Sequence, residues 1–395
     1  MKGCVIMDTV RYGIIGIGNM GTNHAKYLSK GDIKGAVLTA VCDINPERLE
    51  WARNNLPTKV IMFDDYRKLF ASGLVDAVII ATPHYLHPVI GIEAFEAGIH
   101  VLSEKPIGVY TSKVKEMMMA AAKSGKAFGI MYNQRTNPAF AKARELVKNG
   151  ELGELKRCVW IITDWYRTQP YYDSGSWRAT WEGEGGGVLL NQCPHNLDLW
   201  QWIFGMPTKI RAFMSFGKYH NIEVEDDVTA YAEYANGATG VFIASTGEAP
   251  GTNRLEISGS KGKLIYEGGK LIFYKNQVDE REFCFDKNSG GFDKPLVDKI
   301  EIGLGKSVEQ HPAITQNFTN HILYGTELLA PGYEGINGLS ISNAMHLSHW
   351  KNETVEVGAG EEEFAALLEK HIADSKFEKV NSVYKVSDLS GTYGS

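Results

Sequence analysis

An α/β chain of two parts is predicted: a doubly wound parallel sheet over residues 1–135, then an α+β domain with a large, mainly antiparallel sheet over 136–395. Three observations carry this. Continuous apolar runs of strand length alternate with amphipathic helical patterns from Tyr12 to about Arg135, as in a parallel sheet covered on both faces. Period-two alternation with hairpin turns then takes over, as in "DDVTAYAEYANGATGVFIASTG". Finally, 395 residues exceed what one ordinary core holds.

The first strand is the β-branched run "YGIIGIG", and "NMGTNHAKYLSKG" after it has helical spacing closed by a glycine. Gly16, Gly18 and Gly21 make GxGxxG at that junction, with Asn19 and Met20 in the same turn. These glycines permit a tight turn, close approach of backbone to a pyrophosphate, and close helix packing. The second strand, "AVLTAVCD", ends at Asp43, where an acid accepts hydrogen bonds from ribose hydroxyls and disfavours a 2′-phosphate. NAD is therefore expected in preference to NADP. The competing reading is that Asp43 or Asn45 only caps the helix "DINPERLEWA", with Pro46 in its first turn.

Alternation continues through "VIMF", "DYRKLFASG", "VDAVIIATP", "LHPVIGIEAFEAG", "HVLSEKP", "TSKVKEMMMAAAKSG" and "KAFGIMY". Ligands on such sheets lie at the carboxyl ends of the strands. Those ends read "ATPHYLHP", "SEKP" and "YNQR". They offer Thr82, Pro83, His84, His87, Glu104, Lys105 and Asn133 as cofactor contacts and Arg135 as a substrate contact. Lys105 follows an apolar strand and precedes Pro106 in a short turn, where an ammonium can orient a substrate hydroxyl. Otherwise it is a surface lysine paired with Glu104. His84 and His87 either line the cleft or begin a helix with solvated rings.

Further on, "GEGGGVLLNQCPHNLDLWQWIFG" sets three glycines before an apolar helix with Pro194 in its first turn and Gly205 at its end. On that reading Asn191, His195 and Asp198 share one helical face. His195 is the candidate general base, with a pKa near neutrality; the alternative is a hydrogen-bonded core histidine. Asp198 either orients His195 or caps backbone, and Asn191 is either ligand-facing or simply the N-cap. Gly185 to Gly187 would let backbone approach a substrate.

The second domain opens with the helix "PAFAKARELVKNGELG" and continues in the strands "LKRCVWIITDWY", "TKIRAFMSFG", the hairpin quoted above, "NRLEISGSKGKLIYEGGKLIFYKN" and "REFCFD". Its loop "DWYRTQPYYDSGSWRATWEGE" is rich in aromatics and arginine, the mixture a polar ligand pocket needs. Tyr166, Arg167, Tyr171, Trp177 and Arg178 are its substrate-binding candidates, unless the loop packs on an oligomer interface. "EEEFAALLEKHIADSKF" reads as an added helix and "KVNSVYKVSDLSGTYGS" as a tail.

With GIGNMG, Asp43, EKP and the glycine-histidine stretch together, the chain from about Tyr12 to about Val357 resembles the Gfo/Idh/MocA oxidoreductases. The resemblance implies NAD(P)-dependent oxidation or reduction of sugars, inositols and related hydroxyl compounds. It places the catalytic lysine on Lys105 and the helix histidine on His195, with Asp198 three residues on. Many members have an aspartate four residues before the histidine, where this chain has Asn191. It also implies a homodimer or homotetramer packed through the C-terminal sheet.

Composition excludes other partners. Lys plus Arg number 41 against 47 Asp plus Glu, a net charge of −6, which gives no positive surplus for a nucleic-acid backbone. Five scattered cysteines without a CxxC pair argue against disulfides and a zinc cluster, so no metal is expected and a reducing cytoplasm fits. The opening segment has no signal-peptide pattern, and no apolar run reaches the roughly 20 residues of a membrane span. The expected activity is hydride transfer between a nicotinamide and a secondary hydroxyl of a sugar, glycoside or inositol-type polyol. Two rivals are glycoside cleavage through transient oxidation and elimination, and an inactive NAD-sensing binding protein.

Overall fold

The computed structural model describes residues 8–379. Cys4, the rest of the opening segment and the tail from residue 380 lie outside the described residues. In chain order the first part runs β1 (Val10–Ile15), α1 (Asn19–Lys30), β2 (Ala36–Cys42), α2 (Pro46–Asn55), β3 (Ile61–Phe63), α3 (Tyr66–Ala71), β4 (Ala77–Ile80), α4 (Leu86–Glu96), β5 (His100–Ser103), α5 (Thr111–Ser124) and β6 (Phe128–Ile130), closed by a 3-10 turn over Asn133–Thr136. The second part holds α6 (Pro138–Lys148), β7 (Leu155–Ile162), α7 (Gln169–Tyr172), α8 (Pro194–Phe204), β8 (Lys209–Phe216), β9 (Glu225–Glu233), β10 (Thr239–Ser245), β11 (Asn253–Gly259), β12 (Gly262–Glu267), β13 (Lys270–Asn276), α9 (Glu280–Phe285), β14 (Val297–Glu301), α10 (Gln310–Tyr324), α11 (Gly335–Lys351), β15 (Val355–Glu356) and α12 (Glu361–Asp374).

The first sheet has the order β3-β2-β1-β4-β5-β6, and all its pairs are parallel. Its middle strands read Val, Ile and Leu because helices cover both faces. The strand order reverses between β1 and β4, so the crevice for a ligand opens above their carboxyl ends. Gly31 ends α1 in the left-handed conformation, and Asn45 caps α2 by accepting the Glu47 N–H at 2.9 Å.

The second sheet has nine strands, ordered β14-β13-β12-β11-β7-β10-β9-β8-β15. It is antiparallel except for β7 against β10. Helices α6, α8 and α11 cover one face, burying Trp160, Trp200 and Phe242 among them. "REFCFD", expected as a strand, is instead the short helix α9. Asp279 accepts the Arg281 N–H at 2.9 Å there and is held by Ser260, so the local cap outweighs the alternating pattern.

Helix α10 crosses back onto the first sheet. Its Ile314 and Phe318 join the core of β1, and its hydroxyls meet two buried tyrosines, Thr319 with Tyr12 at 2.8 Å and Thr315 with Tyr27 at 2.6 Å.

Candidate active site

A cavity of about 510 Å³ lies at the carboxyl ends of β1, β2, β4 and β5. Gly16, Gly18, Asn19, Met20, Asp43, Thr82, Pro83, His84, His87, Glu104 and Lys105 line it from the first part, and Trp177, Arg178 and Asn191 from the second. Residues from six separate sequence stretches are thus brought to one cleft.

The glycine loop is built for a phosphate. Gly16 has φ +88°, and a Cβ there would sit 2.6 Å from the Ala81 carbonyl oxygen. At Gly21 a Cβ would sit 1.8 Å from the Gly16 carbonyl oxygen, so helix and turn touch through backbone. Gly18 precedes α1 without a side-chain cap, and the positive end of the helix dipole there favours an anion. Asp43 accepts the Ile17 N–H at 2.6 Å and the Asn45 N–H at 2.9 Å, which ties the glycine loop to the end of β2. Asn45, not Asp43, caps α2. Arg48 supports the turn from below, donating to the Ile17 carbonyl at 2.7 Å and to the Thr22 hydroxyl at 2.8 Å.

The histidines of "HYLHP" are buried rather than solvated. His87 sits between the Thr82 and Pro106 carbonyls, each at 2.7 Å, and so joins the ends of β4 and β5. The His84 ring contacts the Glu184 carbonyl at 3.1 Å and lies edge-on to Trp177. Burial holds the pKa of both rings down.

Glu104 is not a surface partner for Lys105. Its carboxylate is buried against His24 at 2.7 Å; burial alone would raise its pKa, but the His24 contact together with the nearby His311 and Lys105 charges pulls it down to about 2. Lys105 points into the cleft and donates to the Asn191 carbonyl oxygen at 2.8 Å. Burial lowers the pKa of its ammonium, against the nearby Glu104 carboxylate.

His195 is 4% exposed, and neither ring nitrogen has a hydrogen-bond partner among the described residues. Burial, then the Lys105 charge, hold the imidazole well below its ordinary pKa, so the ring is neutral with a lone pair to offer. Asp198 does not orient it. That carboxylate takes Nε and Nη2 of Arg135 at 2.8 and 2.6 Å, both side chains 1% exposed, and Glu334 takes Nη1 at 2.5 Å. Arg135 is therefore a buried tie between the 3-10 turn, α8 and the start of α11, not a substrate contact. Asn133 is likewise buried outside the cleft, donating to Gln310 at 2.8 Å.

Asn191 lies before α8, whose first residue is Pro194 and whose cap position is Cys193; it neither caps the helix nor shares its face. Its side chain joins a group that the sequence reading missed. The Asn191 amide nitrogen donates to Glu184 Oε1, and Glu184 Oε2 accepts the Ala179 N–H at 2.5 Å. Glu184 is 1% exposed, and burial raises its carboxyl pKa against the opposing Arg178. The only local clue is an acid beside three glycines. Those glycines approach protein, not ligand: a Cβ on Gly187 would be 2.0 Å from the Glu225 carbonyl oxygen, and the Glu225 carboxylate grips the Gly187 and Leu189 N–H groups at 2.7 and 3.0 Å.

In the aromatic loop Arg178 stacks between Tyr171 and Trp177, its Cζ 4.5 and 4.7 Å from their ring centres. Arg167 stacks on Trp165 and Tyr171, while Tyr166 is half exposed and outside the cleft lining. Among the described residues no cluster of His, Cys, Asp and Glu could hold a metal ion, and no helix is long and apolar enough to cross a membrane.

Residues 10–132 match the family described as the oxidoreductase family with an NAD-binding Rossmann fold, and residues 140–265 match the GFO/IDH/MocA C-terminal domain. The chain belongs to the Gfo/Idh/MocA family. An uncharacterized oxidoreductase of Streptococcus pneumoniae is 30% identical over 261 residues, 65% of this chain and 68% of that one. Myo-inositol 2-dehydrogenase of Thermotoga maritima is 27% identical over 264 residues, 65% and 75% of the two chains. Among solved Gfo/Idh/MocA-like structures, the WlbA dehydrogenase from Bordetella pertussis, in complex with NADH and UDP-GlcNAcA, superposes with a TM-score of 0.73 at 26% identity, covering 88% of this chain and 98% of that one. The cleft fits the family's dinucleotide: its glycine cradle, uncapped helix start and Asp43 suit pyrophosphate and ribose.

Proposed function

We propose that the protein is an NAD-dependent dehydrogenase that oxidises a secondary hydroxyl of a sugar, glycoside or inositol-type polyol. The observation that carries this is the glycine cradle and the Lys105 ammonium in one cleft, with the buried, neutral His195 behind them and close enough to feel the Lys105 charge. When bound, the nicotinamide accepts the hydride from the carbinol carbon. His195 takes the hydroxyl proton, for which its unengaged, uncharged ring is suited. Lys105 binds the same oxygen and stabilises the negative charge that grows on it as the C–H bond breaks. Gly16, Gly18, Asn19, Met20, Thr82, Pro83 and His84 hold the cofactor, Asp43 takes the adenosine ribose, and Trp177 and Arg178 face the substrate, with Tyr171 supporting Arg178. The relatives named for myo-inositol and for a nucleotide-linked sugar acid support the substrate class.

The test is NADH formation across inositols, free aldoses, aldonic acids and glycosides, with NAD and NADP offered in parallel. Turnover confined to one substrate group is expected, with kcat/KM higher for NAD by on the order of tenfold or more, because Asp43 opposes a 2′-phosphate. Silence across the panel with NAD bound would overturn the dehydrogenase; product without net NADH would favour the elimination chemistry.

The face of the second sheet away from α8 and α11 leaves Phe213 at 59% and Tyr231 at 45% exposure on adjoining strands. An apolar sheet face of this kind favours packing on a second copy, and we read the protein as a homodimer or homotetramer through this sheet. Light scattering on a sizing column should return a multiple of the 43.7 kDa chain mass; a monomer at micromolar concentration would refute it. Cys42, Cys158, Cys193 and Cys284 are all free thiols, which supports a cytoplasmic setting.

A further inference from the structure

The buried carboxylate of Glu184 closes a hydrogen-bond chain whose direction is fixed. Tyr171 Oη accepts Arg178 Nη1 at 2.7 Å and Gln192 Nε2 at 3.2 Å, so its own proton is left to donate, to Asn191 Oδ1 at 3.3 Å. That orients the Asn191 amide with its nitrogen towards Glu184 Oε1, to which it donates. Glu184 Oε2 is already committed to the Ala179 N–H at 2.5 Å, and Arg178 Nη1 stands 4.0 Å from Oε1. Both Glu184 oxygens therefore accept, the arrangement that suits an ionised carboxylate. The far side of residue 191 is its carbonyl oxygen, which holds Lys105 Nζ at 2.8 Å.

We propose that Glu184 is a positioning residue of the dehydrogenase: it fixes Asn191, and through the Asn191 carbonyl the Lys105 ammonium, and it is the reason an amide occupies position 191. A carboxylate at 191 would face Glu184 directly, and two carboxylates in contact cannot both stay ionised. This rests on the reading of Lys105 as the group that binds the reacting hydroxyl.

Glu184 also belongs to the charge balance at Lys105. The ammonium faces the carboxylates Glu104 and Glu184 against the guanidiniums Arg167 and Arg178, with the rings of His84, His87, His195 and His311 around it. Removing one of two carboxylates leaves the cations less compensated, so the Lys105 pKa must fall.

Three variants test this: Glu184→Gln, Asn191→Asp and the double exchange. In Glu184→Gln the new amide nitrogen confronts Asn191 Nδ2, donor against donor. In Asn191→Asp two acceptors face each other. In the double exchange every direction is restored: the Gln oxygen accepts from Ala179, its nitrogen donates to the new carboxylate, and that carboxylate accepts from Tyr171. Each single variant should lose about tenfold to a hundredfold in kcat/KM, and the double exchange should regain at least tenfold over either. In Glu184→Gln the pH limb of kcat/KM that reports Lys105 should move down by on the order of one unit. The pH dependence of Lys105 acetylation by acetic anhydride, read by mass spectrometry, should move with it and needs no turnover. A Glu184→Gln profile and labelling curve identical to wild type, or a double exchange no better than the single variants, overturns the proposal. If Lys105 proves dispensable for turnover, the dehydrogenase reading falls while the labelling arm still decides whether Glu184 governs Lys105.

Discussion

Lys105→Met will lower NADH formation on the best substrate by on the order of a thousandfold while NADH affinity, read by fluorescence titration, changes only a few-fold. The methionine keeps the length of the side chain and its apolar packing but removes the cation that binds the reacting hydroxyl. The cofactor's phosphates and ribose are held elsewhere, at Gly16, Gly18 and Asp43, so binding and turnover separate. His195→Ala should behave alike, with a loss of about a hundredfold to ten-thousandfold expected from withdrawing a general base. It should differ in one respect: the acidic limb of the pH profile, set by a ring whose pKa burial depresses, should disappear. Near-wild-type turnover in both variants would remove the proton-transfer assignment.

The second large effect concerns stability. Arg135→Met will destabilise the folded chain by about 3–5 kcal/mol, because it leaves the Asp198 carboxylate buried without its partner. Burial already pushes the Asp198 pKa up against the pull of Arg135; without that guanidinium the acid must take a proton or draw water inward. The cost arises from the orphaned charge rather than from the lost bond. Arg135→Met with Asp198→Leu should therefore recover most of it. Urea denaturation followed by tryptophan fluorescence would show this as a midpoint that falls in the single variant and returns in the double. A single variant as stable as wild type would mean that this ion cluster does not hold the two parts of the chain together.

These two residues also mark what can be read from sequence. The glycine turn, Asp43 and Lys105 were legible because each is defined by its own strand end: a run of Val and Ile, then the polar group. Arg135 looked equivalent, a charged residue at a strand end, yet its partner stands 63 positions away in α8, and nothing local predicts that pairing. The same holds for Glu184, whose meaning depends on which way a tyrosine hydroxyl points, and for Asn191, displaced from α8 because the helix starts at Pro194. Alternation predicted β7 to β13, missed the short edge strands β14 and β15, and misread α9, where a capping aspartate decided the conformation before any neighbour could.

The contacts of Thr315 and Thr319 with Tyr27 and Tyr12 have a consequence for biosynthesis. The ribosome delivers β1 and α1 first, but the side chains that cover them, Ile314 and Phe318 included, emerge only after some three hundred further residues. Until then the nascent nucleotide-binding sheet exposes an apolar strip and the Tyr12 hydroxyl without its mate, while Tyr27 keeps only its local contact with His24. Chains stalled or cut before residue 310 should therefore cling to chaperones or precipitate, however complete their glycine loop, and the ability to bind the dinucleotide should arrive late, with α10.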